Sequence, residues 1–520
     1  MKSPVLQYFV SNISDKMKQE TKKSDSVVAQ DGTVKLKIGY INDVHGQYLK
    51  LAKIGDALRD CDIRFSGGDN MLGDDCNEKV NQCILKYMDG EDFESSALGN
   101  HDVDMTEAKF KELTKDLKMK YLAANFNQDE KSKDANLGEK RAYIHDKLVD
   151  SYVADYKGLK YGVVGVAPVD IKTRISHADI YDDFKIDDLD ETINGIQKQV
   201  DELKKDGIKH IFLLSHAGFF NDKEIAKRTS GIDVIIGGHS HNYVDGITPG
   251  ENLFYSKDKE PVLITNAERD GNYFGKVDLE FDKDGVLTGA ANKLYETSVR
   301  PKNMIYKKIF NDIMGDPEYV GEINSALPCP RNRLTEENPH ANFVADAIRE
   351  ELKVDIGMVN AANLRNVFEK GPIDTADIKS ISPFGNTLAV VSMNEKDLVD
   401  GLKIACKSVL REDGKPGLYY ASGLNYTVKK STGELVDLTF TDREGNVKKI
   451  DVNNPDPNKT YRVGANDYIL RGRDGFDPFN YYDRAEQKFD FSEDKLIADY
   501  IKHQQKPVDI NATGRIKIVD

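Results

Sequence analysis

The sequence predicts an α/β protein of two domains, and two observations carry that prediction. Short apolar runs alternate with amphipathic stretches from about Val34 onward, and this texture breaks near Pro261 before resuming past Pro328. Strand, helix, strand, helix is the pattern of a layered α/β domain. Leu36, Ile38 and Tyr40 alternate with polar residues as a strand does, and Leu51, Ile54 and Leu58 then fall at helical spacing. Ile63 to Phe65 reads as the next strand, followed by a helix through Val80, Ile84 and Met88. Further strands are expected at Tyr121 to Ala124, Tyr161 to Val166, Ile211 to Leu214 and Val234 to Ile236. Leu189, Ile193, Ile196, Val200 and Leu203 mark a helix among them. Past Pro261, Val277, Leu279 and Phe281 alternate at period two ahead of an Asp284-Gly285 turn, so strands without intervening helices are expected. Lys302 to Ile323 reads as a helical connector, and a helix through Phe343, Ala347 and Ile348 opens the second α/β stretch. The predicted organisation is a flexible tail over 1–33, a first domain over 34–300, a helical linker over 301–330 and a second domain over 331–520.

Composition narrows the class. The 520 residues suffice for about two to four domains. With 39% hydrophobic and 31% charged residues the chain reads as globular rather than disordered. A formal charge of −15 argues against nucleic-acid polymers or anionic membranes as main partners, and leaves small anionic substrates open because bound cations would set the local field. Cys61, Cys76, Cys83, Cys329 and Cys406 form no CxxC pair and read as ordinary thiols. The run Val5 to Val10 contains Gln7 and is too short and polar for a signal-peptide core, and no stretch approaches the ~20 apolar residues of a membrane span. The expectation is a cytoplasmic protein.

The informative feature is where ligand-type residues fall. Asp43-Val44-His45, Gly67-Gly68-Asp69, Gly99-Asn100-His101-Asp102, Ser215-His216 and Gly237-Gly238-His239-Ser240-His241 each follow a predicted strand. Carboxyl ends of strands form the ligand crevice of open α/β sheets, and glycine lets backbone approach where a side chain would obstruct. Of ten histidines, five sit at these strand ends, which is difficult to reconcile with five unrelated structural residues. Imidazoles, carboxylates and an amide oxygen suit borderline divalent ions such as zinc, manganese, iron or cobalt. Two such ions about 3.5–4 Å apart can activate water and stabilise attacking and leaving oxygens alike. Asp69 is the natural bridge, because a carboxylate has lone pairs for both.

The order D-x-H, GGD, GNHxxD, H, GGHSH resembles the metallophosphoesterase superfamily, and GNHDVD with GGHSH resembles its 5′-nucleotidase branch. The resemblance implies an N-terminal α/β/β/α sandwich followed by a C-terminal α/β substrate-binding domain that closes on it. It implies one ion among Asp43, His45, Asp69 and His241, and a second among Asp69, Asn100, His216 and His239. It further implies that His101 contacts the phosphoryl group and that Asp104 orients it, with Asp102 as a competing orienter or a surface group.

Three later segments are similar to the family's C-terminal domain: Asn360-Ala361-Ala362-Asn363-Leu364-Arg365, Pro383-Phe384-Gly385-Asn386, and Tyr468 six residues before Asp474-Gly475-Phe476. The resemblance implies substrate contacts from Asn360, Arg365 and Asn386, a base held between Phe384 and Tyr468, and ribose hydroxyls on Asp474. Stacking on aromatic rings suits a base, and guanidinium suits phosphate. The family's NGGGIR is bulkier here at three positions, its ETNLGN segment reads Glu337 to Asn342, and Arg331 or Arg333 stands for its upstream phosphate-binding arginines. The expected activity is hydrolysis of a nucleotide phosphate ester, with a small nucleotide as partner. The alternatives are a 2′,3′-cyclic-nucleotide phosphodiesterase, a nucleotide-sugar pyrophosphatase, or an inert binding protein on the same scaffold.

Overall fold

The computed structural model describes residues 27–73, 77–128, 148–171, 184–330, 332–411 and 414–520. Most of the predicted tail, Cys76 and Arg331 lie outside these residues. The chain divides into two compact units, Met1–Met314 and Gly315–Asp520.

In the first unit two sheets pack face to face. One runs Leu287–Glu296, Tyr273–Phe281, Val34–Ile41, Ile63–Ser66, Ser95–Ala97, Lys120–Leu122, Leu148–Val149, and the other runs Leu253–Tyr255, Pro261–Thr265, Val234–Gly237, His210–Ser215, Leu159–Val166, Ser151–Tyr156. The middle strands of both are parallel. Period-two alternation explains the layering. Ile38, Tyr40 and Phe65 of one sheet and Phe212, Leu214 and Ile236 of the other fill the space between them. Phe65 and Phe212 meet across that space with ring centroids 6.0 Å apart. Ile211, Leu213 and Ile235 point the opposite way, onto the apolar stripe Ile193, Ile196, Val200 and Leu203 of the helix Leu189–Lys205. That helix starts at an Asp188/Glu191 capping box, which satisfies two otherwise orphaned backbone N–H groups. Helices Tyr48–Ile54, Glu78–Gly90 and Met304–Met314 pack on one another in the same unit. The layering is therefore α/β/β/α, as the resemblance implies.

The strands past Pro261 form the expected hairpin, Tyr273–Phe281 against Leu287–Glu296. Within 301–330 the helix Met304–Met314 is followed by the strand Tyr319–Ala326. That strand pairs with Gly371–Asp374 and Val508–Ile510, burying Val320 and Ile323.

The second unit is built on a five-stranded sheet in the order Tyr419–Ser422, Ile356–Asn360, Thr460–Asn466, Thr387–Asn394, Gln487–Ser492. Ile356–Asn360 and Thr460–Asn466 are parallel, whereas Thr387–Asn394 runs antiparallel beside them with Leu388 opposite Asn466. The last strand, antiparallel again, places Ser492 opposite Thr387. Three strand ends, one strand start and the first residue of the helix Glu493–Gln504 thus meet at one sheet edge. Among the described residues no helix is long and apolar enough to cross a membrane.

Candidate active site

All five predicted ligand segments of the first unit converge at the carboxyl ends of the parallel strands, three from one sheet and two from the other. Donor atoms of Asp43, His45 and His241 lie within 4.8 Å of one another, and so do those of Asp69, His216 and His239. A third group of the same kind joins His45, Asp69 and His101. Asp69 touches both sides: its Oδ2 is 3.6 Å from His45 Nε2 and 3.0 Å from His216 Nε2. Asp43 Oδ1 is 3.3 Å from His241 Nε2. Asp43, His45, Asp69, Asn100 and His216 are buried, and His101, His239 and His241 are half-buried.

The donor set fits divalent cations on three counts. His216 Nδ1 donates to the Gly67 carbonyl at 2.6 Å, which leaves Nε2 as the ring nitrogen that faces the cluster and would offer its lone pair to a cation. Although only 3.0 Å from Asp69, that Nε2 makes no hydrogen bond, and the buried Asn100 Oδ1 also has no partner. Such atoms are costly unless something cationic satisfies them. His45 Nδ1 donates to Asp270 Oδ1 at 3.0 Å, again aiming Nε2 inward. The backbone is bent to suit: Asp43, His45, Asp69, His239 and His241 all have positive φ, between 49° and 73°. Each such residue carries strain of about 1–3 kcal/mol, which surrounding structure must over-determine. Glycine permits the crowding. A Cβ on Gly99 would collide with Asp69, and one on Gly238 with the Gly67 carbonyl.

Electrostatics follow from burial against opposite charge. Burial would raise Asp43, but His241, His216 and His45 outweigh it and hold the carboxyl below its ordinary range. The same contest, decided by His216 and His101, holds Asp69 well below. Burial pushes His216 down, yet Asp69 and Asp43 carry it up to about 10, whereas burial wins at His241 and brings it to about 3. A bound cation would take over the imidazoles' role as counter-charge and release them as neutral ligands.

His101 donates its backbone N–H to Asp69 Oδ1 at 2.8 Å, and its ring stands 5.2 Å from that of His45. Asp104 is half-buried against Gly73. Asp102 is not a surface group. It is fully buried and accepts backbone N–H bonds from Asp69, Asn70, Met71 and Gly99, all at 3.0–3.1 Å. Burial, then the Asp69 charge, pushes it up to about 7.

Several supporting residues escaped the sequence reading. Asn42 donates to Asp43 Oδ2 at 2.7 Å, Asp270 aims His45, and Asp222 accepts from Ser215 beside His216. Asp170 stands 3.5 Å from His239 Nε2. Asp270 was findable, because it lies in the segment that follows the strand Pro261–Thr265, the same position that singled out the five other motifs.

In the second unit the three predicted segments meet at the sheet edge described above. Asn360 ends its strand, buried, with an unpartnered Oδ1. The Arg365 guanidinium lies over the Phe384 ring, 5.1 Å from its centroid. Tyr468 is exposed and donates its hydroxyl to Asp474 Oδ1 at 2.9 Å, with Asp474 held at φ 58°. Asn386 donates to Asn363 at 3.1 Å.

Calcineurin-like phosphoesterases as a family match residues 36–243, and the 5′-nucleotidase C-terminal domain family matches residues 319–481. The chain thus carries a calcineurin-like phosphoesterase domain followed by a 5′-nucleotidase C-terminal domain. Homologues with these domains are metallophosphoesterases, which are hydrolases, and the calcineurin-like fold implies divalent metals, which the donors described here fit. Among curated relatives, the chain is 26% identical to the trifunctional nucleotide phosphoesterase protein YfkN of Bacillus subtilis, over 94% of this chain and 35% of that protein. It is also 26% identical to a probable 5′-nucleotidase of Treponema pallidum, covering 74% of this chain and 73% of the relative. The chain thus spans about a third of the Bacillus relative's length. A 5′-nucleotidase precursor from Thermus thermophilus shares the fold, with a TM-score of 0.69 at 22% identity over 94% of this chain and 99% of that one.

Within the stretch that matches the 5′-nucleotidase C-terminal domain, Ala361-Ala362-Asn363 is bulkier than the glycines it resembles. Ala361 and Asn363 are buried, and the Asn363 amide turns inward to Glu493 and Ser382. Asn363 therefore joins an internal network.

Proposed function

We propose that the chain hydrolyses the phosphate ester of a nucleotide, releasing nucleoside and phosphate. The observation that carries this reading is the pair of adjoining donor groups that share Asp69. In this reading Asp43, His45, Asp69 and His241 hold one divalent ion, and Asp69, Asn100, His216 and His239 hold the other. Zinc, manganese, iron or cobalt suits this mixture of nitrogen and oxygen donors. Bound there, the ions supply positive charge for the phosphoryl oxygens and lower the pKa of an attacking water. His101 presents its ring beside the cluster to neutralise charge developing on the phosphoryl group, and Asp104 keeps it protonated and aimed.

Substrate choice is assigned to the second unit. Phe384 and Tyr468 offer faces for a base, Asp474 accepts from ribose hydroxyls, and Asn360, Arg365 and Asn386 contribute polar contacts. The names of the Treponema and Bacillus relatives, a probable 5′-nucleotidase and a nucleotide phosphoesterase, support a nucleotide as substrate. Cyclic and diphosphate esters are the comparison to run, because the same donor groups would serve them. The deciding assay is phosphate release from AMP, UMP, ATP, UDP-glucose and 2′,3′-cAMP with manganese or zinc added. Turnover of the monophosphates is expected. Preference for 2′,3′-cAMP or UDP-glucose would replace the 5′-nucleotidase reading, and inertness toward every ester would leave a binding protein.

A further inference from the structure

Glu493 is fully buried, yet it is a carboxylate with three side-chain donors, each from a different part of the same sheet edge. Its Oε1 accepts from Ser382 Oγ at 2.9 Å and from the Asn363 amide, and its Oε2 accepts from Asn466 Nδ2 at 2.9 Å. Its backbone N–H donates to the Asn386 carbonyl at 2.9 Å. These partners belong to the three segments that present Asn360 and Arg365, Phe384 and Asn386, and Tyr468. Asn386 closes the ring by donating to Asn363 Oδ1, and Asn466 caps the short helix carrying Tyr468 by accepting from Ile469 N. As the first residue of a twelve-residue helix, Glu493 also places its charge at a favourable terminus.

We infer that Glu493 is the positioning residue of the nucleoside-recognition surface, a single carboxylate that holds three recognition segments in one register. The inference rests on the proposed role of this unit in reading a nucleoside. Physical chemistry favours the assignment over plain packing. A buried carboxylate is expensive, and burial pushes this one up to about 7 despite its donors. Apolar side chains of similar volume would fill the space at lower cost, but without direction. Fully satisfied polar networks specify one arrangement of the elements they join. Fixed spacing between Phe384 and Tyr468 is what a planar base requires, and loose segments would have to be ordered at each binding event.

The test compares Glu493→Gln with the wild type in the manganese-loaded full chain, using AMP and p-nitrophenyl phosphate. The glutamine amide must point its NH2 at another NH2 or at the Ser382 hydroxyl, so the ring of donors is broken without loss of volume. KM for AMP is expected to rise by roughly 10-fold or more, the scale of a hydrogen bond to a charged group. The change in kcat should be smaller, and the loss on p-nitrophenyl phosphate at least about 10-fold less. Adding Asn466→Asp to Glu493→Gln restores a carboxylate opposite the new amide and should recover much of the AMP affinity. Ser382→Ala removes one donor only and should show a smaller loss in the same direction, which keeps the test decisive if Glu493→Gln does not fold. Equal losses on both substrates, or an unchanged KM for AMP, would overturn the inference. Failure of the underlying nucleoside reading looks different: Tyr468→Ala and Phe384→Ala would then also leave AMP and p-nitrophenyl phosphate affected alike.

Discussion

Asp69 Oδ2 lies 3.0 Å from His216 Nε2, and the His216 ring is held in that orientation by its Nδ1–H bond to the Gly67 carbonyl. A cation between Asp69 Oδ2 and His216 Nε2 would take a lone pair from each and replace the imidazole's positive charge, and His45 Nε2, 3.6 Å from the same carboxylate oxygen, extends the argument to a second cation. Asp69→Asn removes the charge that both would share. The variant should retain its fold, lose ion content measured by elemental analysis, and lose essentially all phosphatase activity. Two ions per chain with normal turnover would rule out the bridging role.

His101 separates chemistry from ion binding. Its ring is half-buried beside the cluster, and its backbone N–H donates to Asp69 Oδ1. His101→Ala is expected to lower kcat by roughly 10²–10⁴-fold, the range for a lost acid–base or electrostatic group. Ion content should not change, and loss of an ion in this variant would make His101 a ligand.

Asp102 holds the two loops that present Asp69 and Asn100, through four backbone N–H groups. Asp102→Asn keeps the shape but turns an NH2 toward those donors. Stability should fall by about 2–5 kcal/mol, as for a buried group stripped of its partner. Ion affinity should weaken about 10–100-fold, the usual effect of disturbing residues that orient ligands. Denaturant titration and ion binding measured side by side check both; a variant as stable and as tightly loaded as the wild type would contradict the role.

Tyr468 tests recognition. Stacking on an aromatic ring is worth about 1–3 kcal/mol per base, or roughly 5- to 150-fold in affinity. Tyr468→Ala should reduce kcat/KM for a nucleotide by a factor in that range and spare p-nitrophenyl phosphate. Because the Tyr468 hydroxyl also holds Asp474, Tyr468→Phe separates the two contributions: it keeps the ring and frees the carboxylate. If Tyr468→Ala leaves nucleotide turnover unaltered, the aromatic clamp is wrong while the metal assignment stands.

Much of this protein was legible before any coordinates. Strand ends are local signals, since an apolar run, a glycine and a ligand residue within a few positions state where a chain leaves a sheet and what it carries. Asp43, His45, Asp69, Asn100, His216, His239 and His241 were therefore legible as ligand-type residues at strand ends, and the helix Leu189–Lys205 from its own periodicity. Partnerships between distant segments were decided only by tertiary structure. Nothing near Asp102 in the chain indicates that its carboxylate folds inward to four N–H groups, three of them more than thirty positions away, nor that Asp270 aims His45 across 225 positions. Glu493 is the extreme case: in sequence it is one acidic residue at the start of a charged helix, and its partners lie 27 to 130 positions distant. Local chemistry selects which side chains can serve a site. Burial, which removes water and makes each unsatisfied donor or lone pair costly, decides which of them are brought together.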